Sequence, residues 1–519
     1  MADKLFEITS ADLSLGDIQT FLASSAKVRL SKDIIKKVNE SNRVIGEIIE
    51  SEKVVYGVNT GFGKFSDVHI SRNKVRELQK HLVYSHAAGT GAAIAPEIVR
   101  LILFLKIKSL SAGYSGCRVA LLEQMIRLLE NNIMPVIPEK GSVGASGDLA
   151  PLAHMALVLM GEGEAFIPAG RDSKGWKKVS GREALKRFAL EPLKLEAKEG
   201  LAILNGTQVS TALGTWALLQ TRNLLKAADI IGALTLEGLL GTLTAFEDRI
   251  QAVRPHPGQR EVAANYRMIL KDSPIINSHK SNDNRVQDAY SLRCIPQVHG
   301  AVRDAIQFTE QVLIREINSV TDNPLVFSEK KFVRSGGNFH AAPVGYACDL
   351  MSLVLTDLGS MSERRIEHMQ DPTVSLLPAF LTQAGGLNSG FMIAHVTAAA
   401  LTSENKILAH PASVDSIPTS ANKEDHVSMA THAARKALEV VVNLENILAI
   451  ELISACQALD LRLPLKPSKV TGAVLKLIRS VIPAWKNDRQ IYKDIRKACE
   501  LLRSGRLVAE VEKQGGRLR

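Results

Sequence analysis

The sequence predicts a mainly α protein, with an N-terminal mixed α/β region followed by a long helical bundle. Hydrophobic residues make up 45% of the 519 residues but aromatic residues only 5%, so the core must be aliphatic, which suits packed helices better than a β-sandwich. From about residue 200 onward, apolar residues recur at helical spacing over stretches too long for a small α/β domain. We therefore expect an N-terminal domain over 1–200 and a bundle domain over 201–519.

The N-terminal part combines predicted helices with glycine-rich connections. Helical periodicity is visible over 75–85, 97–109 and 118–129. Residues 54–56 are a short strand candidate that runs into a glycine-rich loop. The polar and charged segment 170–198 is expected to be an exposed excursion before the next long element.

The C-terminal part is predicted to be a series of long helices. The periodic stretches are 210–240, 299–318, 345–370, 388–409 and 426–461. Several of them are apolar on more than one face, so we expect them to be buried inside a bundle or at a subunit interface.

The net charge of +10 raises the question of a nucleic-acid or membrane partner. Residues 460–519 hold 15 Lys and Arg against 6 Asp and Glu, a surplus of 9 that accounts for almost all of the net charge. A surplus confined to one region is typical of solvated helix faces or of an oligomer surface, so we expect no nucleic-acid partner. No stretch approaches the roughly 18 apolar residues of a membrane span, so no membrane partner is expected either.

Several other classes of protein are disfavoured. No signal peptide is visible, and the five cysteines are neither paired by spacing nor arranged for zinc, so we expect a cytoplasmic protein without a metal. The sequence GVNTGFGKF at 57–65 departs from a phosphate loop at Val58 and Phe65. No GxSxG elbow of a serine hydrolase and no HExxH zinc motif is present.

The segment 141–154, GSVGASGDLAPLAH, can form an unusual electrophile. Gly147 has no Cβ, so its amide nitrogen can approach the carbonyl carbon of Ala145, and attack there closes a five-membered ring. Loss of water from the ring and of the Ser146 hydroxyl leaves a methylidene-imidazolone. By itself, Ala-Ser-Gly is more often a simple turn. The next residue, Asp148, could steer ring closure or could cap the helix predicted after it.

The flanking residues make this segment distinctive, because it closely resembles the cofactor-forming loop of the aromatic amino acid ammonia-lyases. Seven further segments resemble motifs of that family and stand in family order: YGVNTGFGKF, LVYSHAAGTG, LNGTQ, QDAYSLRCIPQVHG, SVTDNPLV, SGGNFH and SVDSIPTSANKEDHVSM. The likeness is strongest to the histidine-specific members, which release ammonia from L-histidine without oxidation to give trans-urocanate, the first step of histidine degradation.

The resemblance implies a cofactor, a fold and an assembly. The cofactor is a 4-methylidene-imidazol-5-one (MIO) group, formed autocatalytically from Ala145, Ser146 and Gly147, and no metal or nucleotide is expected. The fold is the ammonia-lyase or fumarase–aspartase-like helical fold. The family assembles as homotetramers whose active sites are built from more than one subunit.

The resemblance also implies catalytic roles for two tyrosines. Tyr56 matches the family's catalytic tyrosine, and Tyr290 matches a second one, implicated in ring formation or proton traffic. The pKa of a phenol is about 10 in model peptides. We therefore expect that a base role for Tyr56 needs a pKa lowered by nearby positive charge or hydrogen bonds.

Other polar residues match those that surround the substrate. Arg293 would bind the substrate carboxylate, since a guanidinium can donate two parallel hydrogen bonds to it. Asn205, Gln287 and Asn323 match polar groups around that carboxylate and the electrophile.

Substrate choice is predicted to depend on Ser85-His86 and Glu424. The pair matches histidine-specific members, whereas phenylalanine- and tyrosine-specific relatives typically have Phe-Leu or His-Leu there. Glu424 can accept a hydrogen bond from an imidazole N–H, while an apolar ring would leave its carboxylate buried and unpaired. Phe339 and Met392 match the wall of the substrate pocket.

Three alternatives stay open at this point. A tyrosine or phenylalanine ammonia-lyase or aminomutase would use the same cofactor, although the specificity positions argue against it. A catalytically silent bundle protein would be expected to have lost catalytic groups, and a nucleic-acid binder is suggested by the charge alone. The chain departs from the common family pattern at Lys423, where many members have Gln, and at Ala341, where many have Gly. We expect these departures to affect substrate affinity rather than the reaction class.

Overall fold

The computed structural model describes residues 5–24, 27–51, 54–61, 63–170, 175–281, 283 and 285–519. The chain forms two compact units, each assembled from three segments. Unit 1 comprises Met1–Trp216, Gln311–Cys348 and Pro411–Arg435, and unit 2 comprises Ala217–Glu310, Asp349–His410 and Lys436–Arg519.

The described strands all belong to unit 1 and are short. Leu5–Ile8 pairs in parallel with Lys27–Leu30, and Thr90–Ala93 pairs antiparallel with Pro138–Lys140. The other antiparallel groups are Met134–Pro135 with Glu164–Pro168 and Trp176–Ser180, and Leu325–Phe327 with Phe332–Arg334. With so little sheet, the mainly α prediction is confirmed.

The helices of unit 1 include the three that were predicted in the N-terminal part. These three lie at Val75–His86, Pro96–Ser111 and Val119–Glu130, within two residues of the predicted ends. The others are Leu15–Ala23, Lys32–Glu50, Leu149–Leu159, Gly181–Arg187 and Glu199–Leu204, with short 3₁₀ turns at Gly63–Phe65, Arg72–Lys74, Ser328–Lys330 and Ser420–Asn422.

Two local predictions in this part are wrong. The strand expected over 54–56 is a turn, because the amides of Val58 and Asn59 both donate to the carbonyl oxygen of Val55. The segment 170–198, expected to be an exposed excursion, lies outside the described residues at 171–174 and ends in a buried stretch where Leu195 is 5% and Lys198 0% exposed. Lys198 is buried because it pairs with a carboxylate, a contact that local composition does not reveal.

The long predicted helices are confirmed, and four helices contain residues of both units. These are Gln208–Gly238, Ile295–Ile317, Ala342–Gln370 and Ala430–Leu461. The last begins later than periodicity predicts because Met429 has φ +53°, outside the helical region. The helix Ile295–Ile317 begins earlier than predicted, because Pro296 is tolerated in a first helical turn.

The remaining helices of unit 2 are mostly shorter. They are Asp248–Ala252, Pro257–Ile269, Pro274–Asn277, Tyr290–Arg293, Pro372–Ser375, Met392–Leu408, Lys469–Arg479, Ile491–Arg503 and Arg506–Gly515, with 3₁₀ turns at Thr244–Phe246 and Ala379–Leu381. Within the described ranges, no helix has the length and apolar character needed to cross a membrane.

Candidate active site

The loop that carries the triplet depends on Gly147. This residue has φ +79° and pairs with Gly206 in an isolated bridge. A Cβ on Gly147 would lie 2.2 Å from the Gly206 carbonyl oxygen, so no other residue fits here. The amide of Asp148 donates to the same oxygen at 2.8 Å. The triplet is therefore held directly against the chain that follows Asn205.

Asp148 secures the loop through its buried carboxylate. One carboxylate oxygen accepts from the amides of Val209 and Ser210 at 3.0 and 2.8 Å, and also from the Ser210 hydroxyl. The other oxygen accepts from the hydroxyls of Ser142 and Thr431 at 3.0 and 2.5 Å. Asp148 precedes the helix Leu149–Leu159 but makes no side-chain cap there. It caps the first turn of Gln208–Gly238 instead.

A cavity of about 810 Å³ in unit 1 opens onto the triplet. Its lining includes eight of the residues singled out from the sequence: Tyr56, His86, Ala145, Ser146, Asn205, Asn323, Phe339 and Glu424. Lys423 and three residues not singled out, Ser335, His340 and His426, also line it. All three stand inside the family-like motifs, so the motifs were the signal that could have found them.

Glu424 accepts three side-chain hydrogen bonds in this cavity. They come from the hydroxyls of Ser146, Thr419 and Ser420, at 2.5, 2.7 and 2.8 Å. Burial raises the pKa of Glu424, but these hydrogen bonds and the charge of His86 outweigh it, so the pKa lies below its usual value. Glu424 is therefore an ionised acceptor at the hydroxyl of the triplet.

His86 faces the same carboxylate. Burial lowers the pKa of His86, against the raising effects of the Leu82 backbone and of the Glu424 charge. The neighbouring Ser85 hydroxyl lies 3.0 Å from His86 Nδ1. The neutral imidazole of His86 and the ionised carboxylate of Glu424 can therefore both form hydrogen bonds with the same polar group of a substrate.

Tyr56 does not have the lowered pKa that the sequence argument required. Burial raises the pKa of Tyr56, and the negative charge of Glu424 raises it further, while a hydrogen bond with the Gly63 backbone only partly offsets this. The surrounding residues therefore do not by themselves supply the lowered pKa that a base role needs, because a pKa follows from desolvation and neighbouring charge, which motif matching does not supply.

Two asparagines frame the triplet and the cavity. The Asn205 amide nitrogen donates to the Ser146 carbonyl oxygen at 3.0 Å. The Asn323 side chain exchanges hydrogen bonds with the Ser335 hydroxyl and accepts from the Gly336 amide at 2.7 Å. The amide of Asn205 is thus aimed at the triplet, whereas Asn323 is held by its own neighbours.

The other four predicted site residues belong to unit 2. Tyr290 and Arg293 lie in the one-turn helix Tyr290–Arg293, with the guanidinium 4.5 Å from the centre of the tyrosine ring. Tyr290 is 70% exposed, and Gln287 is also exposed. Met392 begins the helix Met392–Leu408 and is half-buried.

The residues of the loop fit the MIO group. Ala145 and Gly147 carry no bulk beyond Cβ, and Ala145 is only 5% exposed. The Ser146 hydroxyl, which ring formation would remove, donates a hydrogen bond to the Glu424 carboxylate. Asn205 Oδ1 is a buried acceptor without a hydrogen-bond partner among the described residues. Asn205 and Glu424 would hold the group, which would supply an electrophile at the cavity.

Across the described ranges, no cluster of three His, Cys, Asp or Glu side chains is placed to hold a metal ion.

A family model described as aromatic amino acid lyase matches residues 13–480. The chain belongs to the aromatic amino acid lyase family. The resemblance drawn from the motifs is thereby confirmed. A histidine ammonia-lyase of Caldanaerobacter subterraneus subsp. tengcongensis is 48% identical, and the match covers 98% of both chains.

Solved structures of aromatic amino acid lyase relatives share the fold. The histidine ammonia-lyase from Trypanosoma cruzi matches with a TM-score of 0.89 and 41% identity, over 98% of this chain and 95% of that one. A tyrosine aminomutase from Streptomyces globisporus matches with a TM-score of 0.91 and 34% identity, over 99% and 100% of the two chains. The overall fold therefore does not distinguish an ammonia-lyase from an aminomutase. The distinction has to come from the residues that line the cavity.

Proposed function

We propose that the protein is a histidine ammonia-lyase, which eliminates ammonia from L-histidine to give trans-urocanate by means of an MIO group formed from Ala145, Ser146 and Gly147. The observation that carries the proposal is the ionised Glu424 carboxylate beside His86, within hydrogen-bond distance of the Ser146 hydroxyl. Once the Ser146 hydroxyl has been removed, the carboxylate oxygen that accepted from it is open to an imidazole N–H, whereas a benzene ring offers that oxygen no donor. Relatives at 46–48% identity, described as histidine ammonia-lyases, support this choice.

The chain's own residues bind and orient the substrate and move its proton. Arg293 binds the substrate carboxylate, and Glu424 accepts the imidazole N–H. Tyr56 takes the β-proton in its phenolate form, which is the minor form at neutral pH because burial raises its pKa and the negative charge of Glu424 adds to that effect. A substrate N–H bonded to Glu424 weakens the second of these two effects. When formed, the MIO group supplies the electrophile that activates the substrate for loss of ammonia.

We further propose that the protein works as a cytoplasmic homotetramer whose sites combine residues of more than one subunit. Tyr290, Arg293, Gln287 and Met392, which lie outside unit 1, would then complete the cavity from a second copy. The free state of all five cysteines, four of them buried, supports a reducing compartment. Light scattering after size exclusion measures the assembly, and a monomeric active enzyme would contradict it.

The experiment that tests the reaction is a comparison of three substrates. Purified protein is incubated separately with L-histidine, L-tyrosine and L-phenylalanine, and the ultraviolet absorbance of the conjugated acid is followed. Chromatography detects the β-amino acid that an aminomutase would form instead. We expect turnover of L-histidine, and its loss in Ser146→Ala, which removes the hydroxyl that ring closure expels. Turnover of L-tyrosine or L-phenylalanine without L-histidine would establish the alternative assignment.

A further inference from the structure

Lys106 is a buried cation next to the active site that the proposed reaction does not use. It lies on the helix Pro96–Ser111 and is 1% exposed. Its ammonium donates to the carbonyl oxygens of Ala202, at 3.1 Å, and of Asn205. Both hydrogen-bond partners that the structure gives it are therefore main-chain carbonyls.

These carbonyls lie at the C-terminal end of the helix Glu199–Leu204, immediately before the triplet's neighbour Gly206. The last carbonyls of a helix lack intrahelical partners, and a cation stabilises that end. At the other end, the buried Glu199 forms a two-pronged ion pair with Arg118, at 2.9 and 2.7 Å. The short helix is thus held by charge at both ends.

The contact between Lys106 and Asn205 is connected to the triplet. Asn205 offers its carbonyl oxygen to Lys106 and its side-chain amide to the Ser146 carbonyl oxygen. A shift of the Asn205 main chain would move that amide away from the electrophile-forming residue. Misplacement of a catalytic contact by about 1 Å can cost about 100-fold in rate.

Keeping a cation at this position is unfavourable in itself. Burial lowers the pKa of Lys106 to about 7, and the charge of Lys198 adds to this effect, while Asp322, Asp148 and Cys117 oppose it. An apolar side chain of the same length would avoid this desolvation cost. The lysine instead donates hydrogen bonds to the two carbonyl oxygens, which an apolar side chain cannot do.

We propose that Lys106 is a positioning residue, which fixes the Asn205 amide against the Ser146 carbonyl by holding the C-terminal end of the helix Glu199–Leu204. The inference rests on the proposed function for its kinetic readout. The inference can also be tested without measuring turnover, because ring closure lowers the mass of the intact chain by two water molecules.

The test compares Lys106→Met with Lys108→Met. Lys108 is a matched control: it lies on the same helix, is 8% exposed, and also donates to two carbonyl oxygens, those of Thr9 and Ala11. In Lys106→Met we expect kcat to fall about 10- to 100-fold with KM changed less than about threefold. We also expect a smaller ring-closed fraction by mass spectrometry. Lys108→Met is expected to match the wild type in both.

Two further variants separate positioning from general stability. Lys106→Arg keeps a cation able to donate to both carbonyls, so we expect it to retain most of the activity, and it serves if Lys106→Met does not fold. In the Asn205→Ala background, Lys106→Met is expected to have little additional effect on kcat/KM, because the two residues act through one contact.

The outcomes are distinct. Wild-type kcat and ring-closed fraction in Lys106→Met would overturn the proposal, as would equal losses in Lys108→Met or full additivity with Asn205→Ala. An inactive Lys106→Arg that is folded would also overturn it. If the wild type has the ring-closed mass but does not turn over L-histidine, the proposed function fails, and the ring-closed fractions still decide the role of Lys106.

Discussion

The ion pair between Lys198 and Asp322 allows a quantitative prediction about stability. The ammonium lies 2.8 Å from the carboxylate, and the two side chains are 0% and 2% exposed. In Lys198→Met the Asp322 carboxylate keeps the amide of Asn323 as a donor, at 2.7 Å, but loses its counter-charge. Breaking a buried pair from one side costs about 3–5 kcal/mol.

Thermal unfolding followed by far-ultraviolet circular dichroism measures this loss. With an unfolding entropy of about 2.1 cal/mol/K per residue, a chain of 519 residues loses about 1 °C of midpoint per kcal/mol, so the midpoint should fall by about 3–5 °C. Lys178→Met is the control, because Lys178 pairs with Glu164 at a similar 3.0 Å while the two side chains are 54% and 53% exposed. An exposed pair contributes about 0–1 kcal/mol.

A double variant shows whether the unpaired charge is the cause. Lys198→Met combined with Asp322→Leu should recover much of the lost midpoint, because an apolar pair leaves no buried charge. The reasoning would be refuted by a midpoint shift in Lys198→Met no larger than that in Lys178→Met. Failure of the double variant to recover would show that packing, rather than charge, determines the loss.

Three further predictions concern the site and acid stability. Glu424→Gln should lower kcat/KM for L-histidine about 10- to 100-fold, because the charged acceptor is lost, with a smaller effect on L-phenylalanine in the absorbance assay. Gly147→Ala should keep the full sequence mass in intact-mass spectrometry, because its Cβ would lie 2.2 Å from a backbone oxygen and displace the loop. Burial raises the pKa of Glu363, but hydrogen bonds from His395 and Arg364 bring it down to about 2. The stability from Glu363 is therefore present above about pH 4.5 and lost as the pH falls towards 2, a loss that Glu363→Gln should lack in thermal unfolding.

Each of these predictions can fail on its own. An unchanged substrate preference in Glu424→Gln would show that this carboxylate does not read the imidazole. A ring-closed mass in Gly147→Ala would show that the loop tolerates a Cβ. Identical acid profiles for the wild type and Glu363→Gln would show that the ion pairs of Glu363 do not contribute to stability.

The helices and the triplet were accessible from the sequence because they depend on local order. The periodic stretch 97–109 became the helix Pro96–Ser111, since spacing along the chain determines which residues share a helix face. Ala145, Ser146 and Gly147 were identified because the chemistry of ring closure requires adjacent residues. The motif residues of unit 1 were expected to share a site because the motifs resemble those of a known family, and eight of them line one cavity.

Contacts between distant segments were not accessible in this way. The sequence did not place Asp148 on the first turn of the helix Gln208–Gly238, nor Lys198 against Asp322. Nor did it show that burial raises the pKa of Tyr56. Burial and hydrogen bonding depend on which segments meet, and residues 61 to 124 positions apart, as in these two examples, meet only through the fold.

The helical class, the candidate triplet Ala145-Ser146-Gly147 and the family could all be predicted from the sequence, because they depend on adjacent residues and on motifs in a fixed order. The directions of the pKa shifts of Tyr56, His86 and Glu424, and the contact of Lys106 with Asn205, became visible once the chain was folded. These features depend on desolvation, because the free energy of a charge is set by the atoms around it, and those atoms come together only when the chain folds.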